Sequence, residues 1–408
     1  MKAQPVKGTK DFLPQEESIR TKMREIIEKT YTSFGFNKIS TPIIEDIENL
    51  NNSDGGDNLK LIFKILKRGD KLEKALNISD FNHLADLGLR YDLTLPLARF
   101  YSQNAENLPK PFKSIQIDRV YRAERPQNGR MREFYQCDID ILGSESLLCE
   151  VELIYVTMKA LENLGLTNLT VKINSRKLLK ELLLSFGYHE NEIDEVCICF
   201  DKLDKIGKQN VLEELNDKIN NKEANNKFGE FLSNKQDFDY SILESKSDVD
   251  FVMQKVEEIS GGKIKTEFDI SLVRGQSYYT GCVFEIYSKE LGFAVGGGGR
   301  YDEMIKKFCG NGVPAVGFSI GFERIYALLL DSKTNFDLKP KIAILFEKEN
   351  FYERFKLLEN FQKKYDCCLF QNPKKLSKLL EKLERLGYIG FVGTNNDSIK
   401  FFENHQNN

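Results

Sequence analysis

Histidine is scarce in this sequence. The 408 residues include only three histidines, His83, His189 and His405, and the last of these lies in a polar C-terminal tail. The sequence therefore offers very few histidines for an imidazole-based metal site or for a Ser-His or Cys-His catalytic pair. We expect no metal site made of protein side chains.

Paired cysteine motifs and long apolar runs are also missing. The eight cysteines form no pair of CxxC motifs, which argues against the common zinc-binding pattern and indicates reduced, apolar side chains. No apolar run approaches the length of a membrane span, and the N-terminal "MKAQPVKGTKDFLP" contains no apolar stretch. We expect a cytoplasmic protein without a membrane segment.

The chain has no excess of positive charge, since its formal net charge is -3. It is therefore not a general binder of polyanions, and a nucleic acid would have to bind at local patches. Glycine loops for nucleotides are missing too, because neither GxGxxG nor GxxxxGK[ST] occurs. The "GGGGR" segment at 296–300 lacks the lysine and the spacing of a phosphate-binding loop.

The length and the order of the predicted elements indicate more than one domain. At 408 residues the chain is too long for a single hydrophobic core. Residues 1–330 predict an antiparallel sheet with flanking helices, interrupted at 175–262 by a helical insertion. A linker at 331–340 then precedes a small α/β domain at 341–408. The predicted fold class is α+β, followed by a small α/β C-terminal domain.

The clearest local pattern is a hairpin, in which "FKSIQIDRVYRAE" and "REFYQCDIDILG" are strands joined by the arginine-bearing loop "RPQNGRM". On the second strand, alternation places Phe134, Gln136, Asp138 and Asp140 on one face. This segment alone leaves two interpretations open. Its charges form exposed cross-strand pairs of little energetic weight, or they bind an anion beside a cation.

Four other segments carry polar side chains or glycines in unusual places. "RYDLT" predicts Asp92 and Thr94 facing the same way on a strand, or else capping a helix. "LVRGQSYYTG" sets Arg274 beside a glycine and before two tyrosines, which fits a ligand site or an aromatic core strand. "FAVGGGG" predicts a strand, and its consecutive glycines imply either a sharp turn or a ligand lying on the backbone. "GFSIGFERIYALLL" predicts one amphipathic helix, on which Arg324 would ordinarily be a surface residue.

Taken in order, these segments resemble the motifs of class II aminoacyl-tRNA synthetases, and among them those of the histidyl-tRNA synthetase family. "KGTKDFLP" resembles the family's N-terminal signature, "FGFNKISTPIIE" motif 1, "YRAERPQNGRMREFYQ" motif 2 and "AVGFSIGFERI" motif 3. "LVRGQSYYTG" resembles the histidine-specific signature, and "RYDLT" and "ERPQ" fit the same branch. The resemblance implies a class II catalytic sheet, a homodimer formed through motif 1, and an insertion that grips the acceptor arm of the tRNA.

The activity implied by this resemblance is the ligation of L-histidine to tRNA(His) in two steps. Adenylation with ATP gives histidyl-AMP and pyrophosphate, and the histidyl group then passes to the 3′ end of the tRNA. ATP is thus a substrate, and Mg²⁺ is the expected cofactor on its β- and γ-phosphates. Both reactants of adenylation are anions, so cationic side chains must bring them together, and no protein nucleophile is needed.

Four arginines receive roles from the resemblance. Arg122 and Arg130 would hold the α-phosphate and the histidine carboxylate, and Arg324 would lie at the γ-phosphate end. Arg274 would act as a fixed electrophile at the α-phosphate. The implied catalytic set is therefore Arg274, Arg122 and Arg130.

The implied nucleotide and tRNA contacts lie around the hairpin tip. Glu124 would read adenine, and Phe134 would stack on it. Gln127 resembles a residue that contacts tRNA. The implied ATP-binding residues are Arg122, Glu124, Arg130, Phe134 and Arg324.

The histidine pocket implied by the resemblance is polar. Its amino-group contacts would be Asp92, Thr94 and Gln136, and its imidazole contacts Asp140 and Tyr279. A carboxylate and a phenol can satisfy both ring nitrogens, which rejects isosteres that lack them. The full implied set is Asp92, Thr94, Arg122, Gln136, Asp140, Arg274, Tyr278 and Tyr279.

Three departures from the family pattern are visible. Ser277 stands where the family often has Asp, which would weaken the positioning of Arg274, and Ala123 stands where a bulkier residue is common. The C-terminal domain is short for an anticodon-binding domain, so recognition of the acceptor end is expected to carry more of the discrimination between tRNAs.

Two other functions remain as alternatives. A catalytically inactive synthetase-like paralogue could sense histidine as a regulatory subunit of histidine biosynthesis, keeping the histidine pocket but losing the arginines of the ATP site. Those arginines are present here. A purely structural dimerisation protein would leave them without a purpose.

Overall fold

The computed structural model describes residues 3–52, 57–77, 81–125, 131–273, 278–310, 312–331, 336 and 338–403. The chain divides into two compact units, Met1–Thr334 and Asn335–Asn408. Within the described ranges, no helix is both long and apolar enough to cross a membrane.

The first unit contains most of the secondary structure. Its helices are α1 Pro14–Ser33, α2 Ile47–Asn51, α3 Asp70–Leu76, α4 Thr94–Asn104, α5 Leu148–Asn163, α6 Arg176–Phe186, α7 Ile193–Phe200, α8 Leu203–Lys218, α9 Lys222–Ser233, α10 Lys246–Ser260, α11 Asp302–Cys309 and α12 Phe322–Asp331. Its strands are β1 Asn37–Lys38, β2 Ile44–Asp46, β3 Lys64–Leu66, β4 Ala85–Leu89, β5 Phe112–Tyr121, β6 Glu133–Leu142, β7 Leu169–Ser175, β8 Lys265–Phe268, β9 Cys282–Ser288, β10 Phe293–Arg300 and β11 Ala315–Gly321.

An eight-stranded sheet organises this unit, in the order β1-β5-β6-β11-β10-β9-β7-β8. Its middle strands pair antiparallel, and only the outermost pairs, β1 with β5 and β7 with β8, are parallel. The predicted hairpin is confirmed, because β5 and β6 pair without interruption from Phe112 opposite Leu142 to Tyr121 opposite Glu133. A smaller sheet has the order β2-β4-β3.

The two faces of β6 differ in polarity. Cys137, Ile139 and Ile141 are fully buried in the apolar core. The intervening positions Gln136 and Asp138 line a cavity on the opposite side of the sheet. The strict alternation of a β-strand thus separates core from cavity along one segment of chain.

Five helices, α6 to α10, occupy the chain between β7 and β8. Their interior is strongly aromatic: the Phe228 ring lies 5.2 Å from that of Phe200 and 6.1 Å from that of Phe231. Edge-to-face and offset pairs of this kind stabilise a small core beyond the area they bury.

The strand predicted for the glycine-rich segment is confirmed, and of its two alternatives the sharp turn is wrong. The segment forms β10, paired with β9 on one side and β11 on the other. Glycines are needed there because the strands are crowded: a Cβ on Gly298 would lie 2.0 Å from the Gly317 carbonyl oxygen and 2.8 Å from the Phe284 ring.

The single helix predicted for residues 317–330 is also wrong in its first part. Residues Ala315–Gly321 form β11, and α12 begins only at Phe322. Small and large residues alternate in "AVGFSIG", and Gly317 must pass close to its neighbours, since a Cβ there would lie 2.0 Å from the Asp140 Oδ1 atom. Such alternation is typical of a strand. The helix was predicted because Gly317 and Gly321 are four residues apart, a spacing that also fits one face of a helix.

The second unit is a small α/β structure. It consists of β12 Lys341–Phe346, α13 Phe351–Phe361, β13 Asp366–Gln371, α14 Leu376–Arg385, β14 Tyr388–Val392 and β15 Ile399–Phe401. Its sheet has the order β13-β12-β14-β15, with only the last pair antiparallel. The small α/β fold predicted for this region is confirmed.

Gly298→Ala should destabilise the protein by about 3 kcal/mol, because the new methyl group has no room between β10 and β11. Gly312→Ala is the matched control, since a Cβ at Gly312 meets nothing within 4 Å; its effect should stay within about 0.5 kcal/mol. Urea unfolding followed by circular dichroism measures both. Similar stability of the two variants would contradict the crowding described here.

Candidate functional site

A cavity of about 330 Å³ opens on the polar face of the large sheet. The backbones of Gly296, Gly297 and Gly298 supply part of its wall. It collects all of the predicted site residues that fall within the described ranges: Asp92, Thr94, Arg122, Glu124, Phe134, Gln136, Asp140, Tyr278, Tyr279 and Arg324. Gln127, Arg130, Arg274 and Ser277 lie outside the described residues.

Asp92 and Thr94 reach the cavity by a different route from the predicted one. They are not on a strand, because β4 ends at Leu89 and Thr94 is the first residue of α4. The Asp92 Oδ1 atom accepts a hydrogen bond from the Leu95 N–H at 3.2 Å. The capping alternative therefore holds for Asp92, and the same carboxylate also lines the cavity.

Arg90, two residues before Asp92, anchors this segment. Its side chain is fully buried, its Nε donates to the Arg119 carbonyl at 2.8 Å, and its Nη1 donates to the Thr41 carbonyl at 2.9 Å. A buried guanidinium bonded to two separate backbone segments holds the chain before α4 in one position.

Arg122 directly follows β5 and is held from several sides. Its backbone N–H donates to the Arg132 carbonyl at 2.9 Å, and its Nε donates to the Tyr91 carbonyl at 3.1 Å. The guanidinium lies over the Tyr91 ring at 4.2 Å and the Phe134 ring at 5.1 Å. These contacts fix a permanent positive charge at the cavity wall.

Phe134, Gln136, Asp138 and Asp140 all line the cavity, which confirms the predicted common face. Asp138 had no assigned role in the sequence interpretation, although alternation alone placed it there. On the neighbouring strand β11, Ser319 pairs with Asp138 in register and also lines the cavity. Ser319 was missed because its segment was predicted to be helical.

Asp140 is bound by a tyrosine that the sequence interpretation overlooked. The Tyr301 hydroxyl, just after β10, donates to the Asp140 Oδ1 at 2.5 Å. Burial raises the pKa of the Asp140 carboxyl to about 7; the hydrogen bond from Tyr301 opposes this shift, and the charge of Asp92 adds to it. In the sequence, Tyr301 could have been identified as a candidate site residue because it directly follows "GGGGR" at 296–300.

The pKa values of Asp92 and Asp138, which also line the cavity, are raised as well. Burial raises the pKa of Asp92, against the hydrogen bond from the Leu95 N–H. Burial also raises the pKa of Asp138 well above its usual value, with the charge of Asp140 adding to the shift. Cationic groups of a bound ligand would favour the charged forms of these carboxyl groups and lower their pKa values.

Arg324 is not a free surface residue. Its Nη1 donates to the Ala294 carbonyl at 2.6 Å, and its guanidinium lies 5.0 Å from the centre of the Phe293 ring. The preceding residue, Glu323, forms a paired ion bridge with Arg20 at 2.5 and 2.8 Å. This bridge ties the start of α12 to α1.

The N-terminal segment contacts the motif 2 hairpin. The Arg132 N–H donates to the Gly8 carbonyl at 2.7 Å, its Nη1 to the Lys7 carbonyl at 3.2 Å and its Nε to the Glu124 carbonyl at 3.1 Å. Residues 7 and 8 thus hold the base of the hairpin loop that carries Glu124.

The described residues contain no cluster of typical metal ligands. Within the described part of the chain, no group of three or more His, Cys, Asp or Glu side chains is arranged to hold a metal ion. Glu285, on β9, lines the cavity.

The fold and the site together define a class. An antiparallel sheet with motif 2 as a hairpin and motif 3 as a strand followed by a helix, all facing one cavity, is the catalytic domain of a class II aminoacyl-tRNA synthetase. The family model described as histidyl-tRNA synthetase matches residues 8–325. The chain therefore belongs to the histidyl-tRNA synthetase family.

Curated relatives agree with this assignment. The chain is 42% identical over 345 residues to the histidine–tRNA ligase of Leifsonia xyli, covering 80% of each chain. It is 38% identical over 347 residues to that of Christiangramia forsetii, covering 79% of this chain and 76% of the relative.

Solved structures show the same fold. A protein from Bacillus halodurans, described as an ATP phosphoribosyltransferase regulatory subunit/histidyl-tRNA synthetase, superposes with a TM-score of 0.78 at 21% identity, covering 97% of this chain and 98% of that one. Histidyl-tRNA synthetase from Nostoc gives 0.75 at 24% identity, covering 97% and 92%. At these identities the likeness concerns the fold alone.

Asp140→Asn should stabilise the ligand-free protein at about pH 8 more than at about pH 4.5. The folded-state pKa of Asp140, about 7, exceeds the unfolded value of about 3.9, so the folded state binds this proton more tightly between the two values. Folding stability from this group is therefore lost as pH rises through that window, and asparagine removes the loss. We expect a difference on the order of 2 kcal/mol between the two pH values.

Thermal unfolding at both pH values measures this effect. Asp194→Asn is the control, because its side chain is 78% exposed and the charge change is the same. Equal stabilisation by Asp140→Asn at both pH values would show that the carboxyl is not perturbed in this way.

Proposed function

We propose that this protein ligates L-histidine to the 3′ end of tRNA(His), first adenylating histidine with ATP and then transferring it to the tRNA. The observation that carries the proposal is the division of charge within one cavity. Arg122 and Arg324 supply fixed positive charge, while Asp92, Asp138 and Asp140 supply acidic groups. A reaction between two anions, one of which bears an ammonium and an imidazole, needs both.

The acidic part of the cavity suits histidine. Asp92, Thr94 and Gln136 would bind the α-ammonium group, and Asp140 with Tyr279 would bind the imidazole. Tyr278 would border the ring, supported by its position 4.7 Å from the Tyr279 ring centre. Because Tyr301 already donates to Asp140, that carboxyl is held in place to accept a ring N–H.

The basic part of the cavity suits ATP. Arg122 would hold the α-phosphate and the histidine carboxylate, and Arg324 the γ-phosphate end. Phe134 would stack on adenine, with Glu124 reading its edge. The Arg122 guanidinium is already oriented by Tyr91 and Phe134, so little reorganisation is needed as charge develops at phosphorus.

Three further contacts rest on the family motifs. Arg130 would share the α-phosphate with Arg122, and Arg274 would act at the same phosphate as a fixed electrophile beside the histidine carboxylate. Gln127 would contact the tRNA. Catalysis then consists of positioning and charge stabilisation, with no covalent intermediate on the protein.

Mg²⁺ is the proposed cofactor. When bound, it would neutralise charge on the β- and γ-phosphates. Glu285 fits this ion, because it offers a carboxylate at the cavity wall and carboxylates are ligands that Mg²⁺ accepts.

The remaining partners are also proposals. A homodimer through motif 1 would cover Ile43 and Ile44, which are 38% and 50% exposed in the single chain. The helices at 175–262 would contact the acceptor arm of the tRNA, and the second unit would act as a shortened anticodon-binding-like domain. The proposed location is the cytoplasm.

The test of the function is histidine-dependent exchange of pyrophosphate into ATP. We expect purified protein to support exchange with histidine and not with the other amino acids, because the polar pocket leaves buried groups unpaired when the imidazole is missing. Charging of a tRNA(His) transcript completes the assay. Binding of histidine without exchange would instead favour the histidine-sensing regulatory subunit.

Arg122→Lys should lower the rate constant of exchange by about 100-fold or more, since an ammonium cannot make the paired contacts of a guanidinium with phosphate and carboxylate. Arg119→Lys is the matched control, because Arg119 lies three residues earlier, is 49% exposed and pairs with Glu133 outside the cavity. It should keep at least about half of the activity. Equal losses in the two variants would contradict the role of Arg122.

A further inference from the structure

Asp138 is the acidic residue of the cavity that the proposed contacts leave unused. It lies on β6 between Gln136 and Asp140 and is only 5% exposed. A buried carboxylate that serves no purpose would destabilise the fold, so its contacts need an explanation.

Those contacts form a chain of directed hydrogen bonds. The Ser319 hydroxyl donates to the Asp138 Oδ1. The Gln136 Nε2 donates to the Ser319 Oγ at 3.2 Å and, more weakly, to the Asp138 Oδ2 at 3.5 Å. A hydroxyl has one proton, which Ser319 donates to Asp138, so an Oγ lone pair faces the amide N–H of Gln136.

This arrangement fixes which end of the Gln136 amide is available. Its NH₂ group is engaged by Ser319 and Asp138, so its Oε1 must point the other way. That oxygen is buried and accepts no hydrogen bond from the described residues. A buried acceptor without a partner, on a residue that lines the cavity, is satisfied when a ligand brings a donor.

We propose that Asp138, together with Ser319, is a positioning residue that locks the Gln136 amide with its oxygen toward the α-ammonium group of histidine. This inference rests on the proposed function and deepens it. Without Asp138 the amide could rotate and present its NH₂ group, and two donors would then face each other at the ammonium site. Asp138 acts through Gln136 and not by touching the substrate.

Asp138→Asn tests the inference, because the new Nδ2 group opposes the Gln136 Nε2 and favours rotation of that amide. Calorimetry would compare two ligands: L-histidinol, which keeps the ammonium but lacks the carboxylate, and 3-(imidazol-4-yl)propionate, which lacks the ammonium. We expect the Kd for histidinol to rise about tenfold or more. The Kd for the propionate should change by less than about twofold.

A double-mutant cycle with Gln136→Ala separates action through Gln136 from direct contact. In the Gln136→Ala background, Asp138→Asn should have no further effect on histidinol binding. A full tenfold loss in that background would overturn the proposal, since it would mean that Asp138 contacts the ammonium itself. Equal losses for both ligands in the single variant would also overturn it.

Ser319→Ala is a second, independent test for the case that the Asp138→Asn variant does not fold. It removes one anchor of the amide and should weaken histidinol binding by a smaller factor, again with the propionate unaffected. Unchanged histidinol binding in this variant would contradict the proposal. If the unaltered protein bound neither histidine nor histidinol, the proposed function itself would fail, which is distinguishable from failure of the variants alone.

Discussion

Strand β6 brings Asp138 and Asp140 into the cavity that Asp92 also lines, and all three carboxyl groups are buried there. Burial disfavours the charged form of each group and raises all three pKa values, and neighbouring acids add to the shift at Asp138 and Asp140. The surrounding structure supplies a donor for each of them, from the Leu95 N–H, Ser319 and Tyr301. The rest of the site follows from this constraint. Positive charge or N–H groups of a ligand would therefore be favoured at this end of the cavity.

Part of the cavity wall is made of backbone from β10, in the same sheet as β6. Gly296, Gly297 and Gly298 line it, and adjacent strands approach so closely that a Cβ at Gly298 would collide with β11. A wall without side chains has no rotamers to rearrange. On its other side, β11 pairs with β6 and brings Gly317 next to Asp140, so the position of this acid and the glycine wall both depend on β11.

Local patterns predicted much of this structure. Alternation in "REFYQCDIDILG" correctly placed four side chains on one face. Successive side chains of a strand point to opposite faces regardless of what packs on the sheet. Strand β11 was mispredicted as helical because its glycines are required by contacts with neighbouring strands, which no local pattern reveals. Tyr301 and Ser319 were missed for a related reason. Each acts on a carboxylate far away in sequence, and only the register of β6 with β11 or the close approach of β10 brings them together.

The ion bridge between Arg20 and Glu323 joins residues 303 positions apart. It connects α1 to the helix that carries Arg324, and the Tyr135 N–H donates to the same Glu323 carboxylate at 3.3 Å. A contact of such sequence separation forms late, because the entropy of closing the intervening loop must be overcome first. During synthesis, α1 and the motif 2 hairpin therefore emerge from the ribosome long before their partner does. The first half of the nascent chain supplies Asp92, Asp138 and Asp140, but their partners Ser319 and Tyr301, and Arg324 on α12, are translated only near the end of this unit.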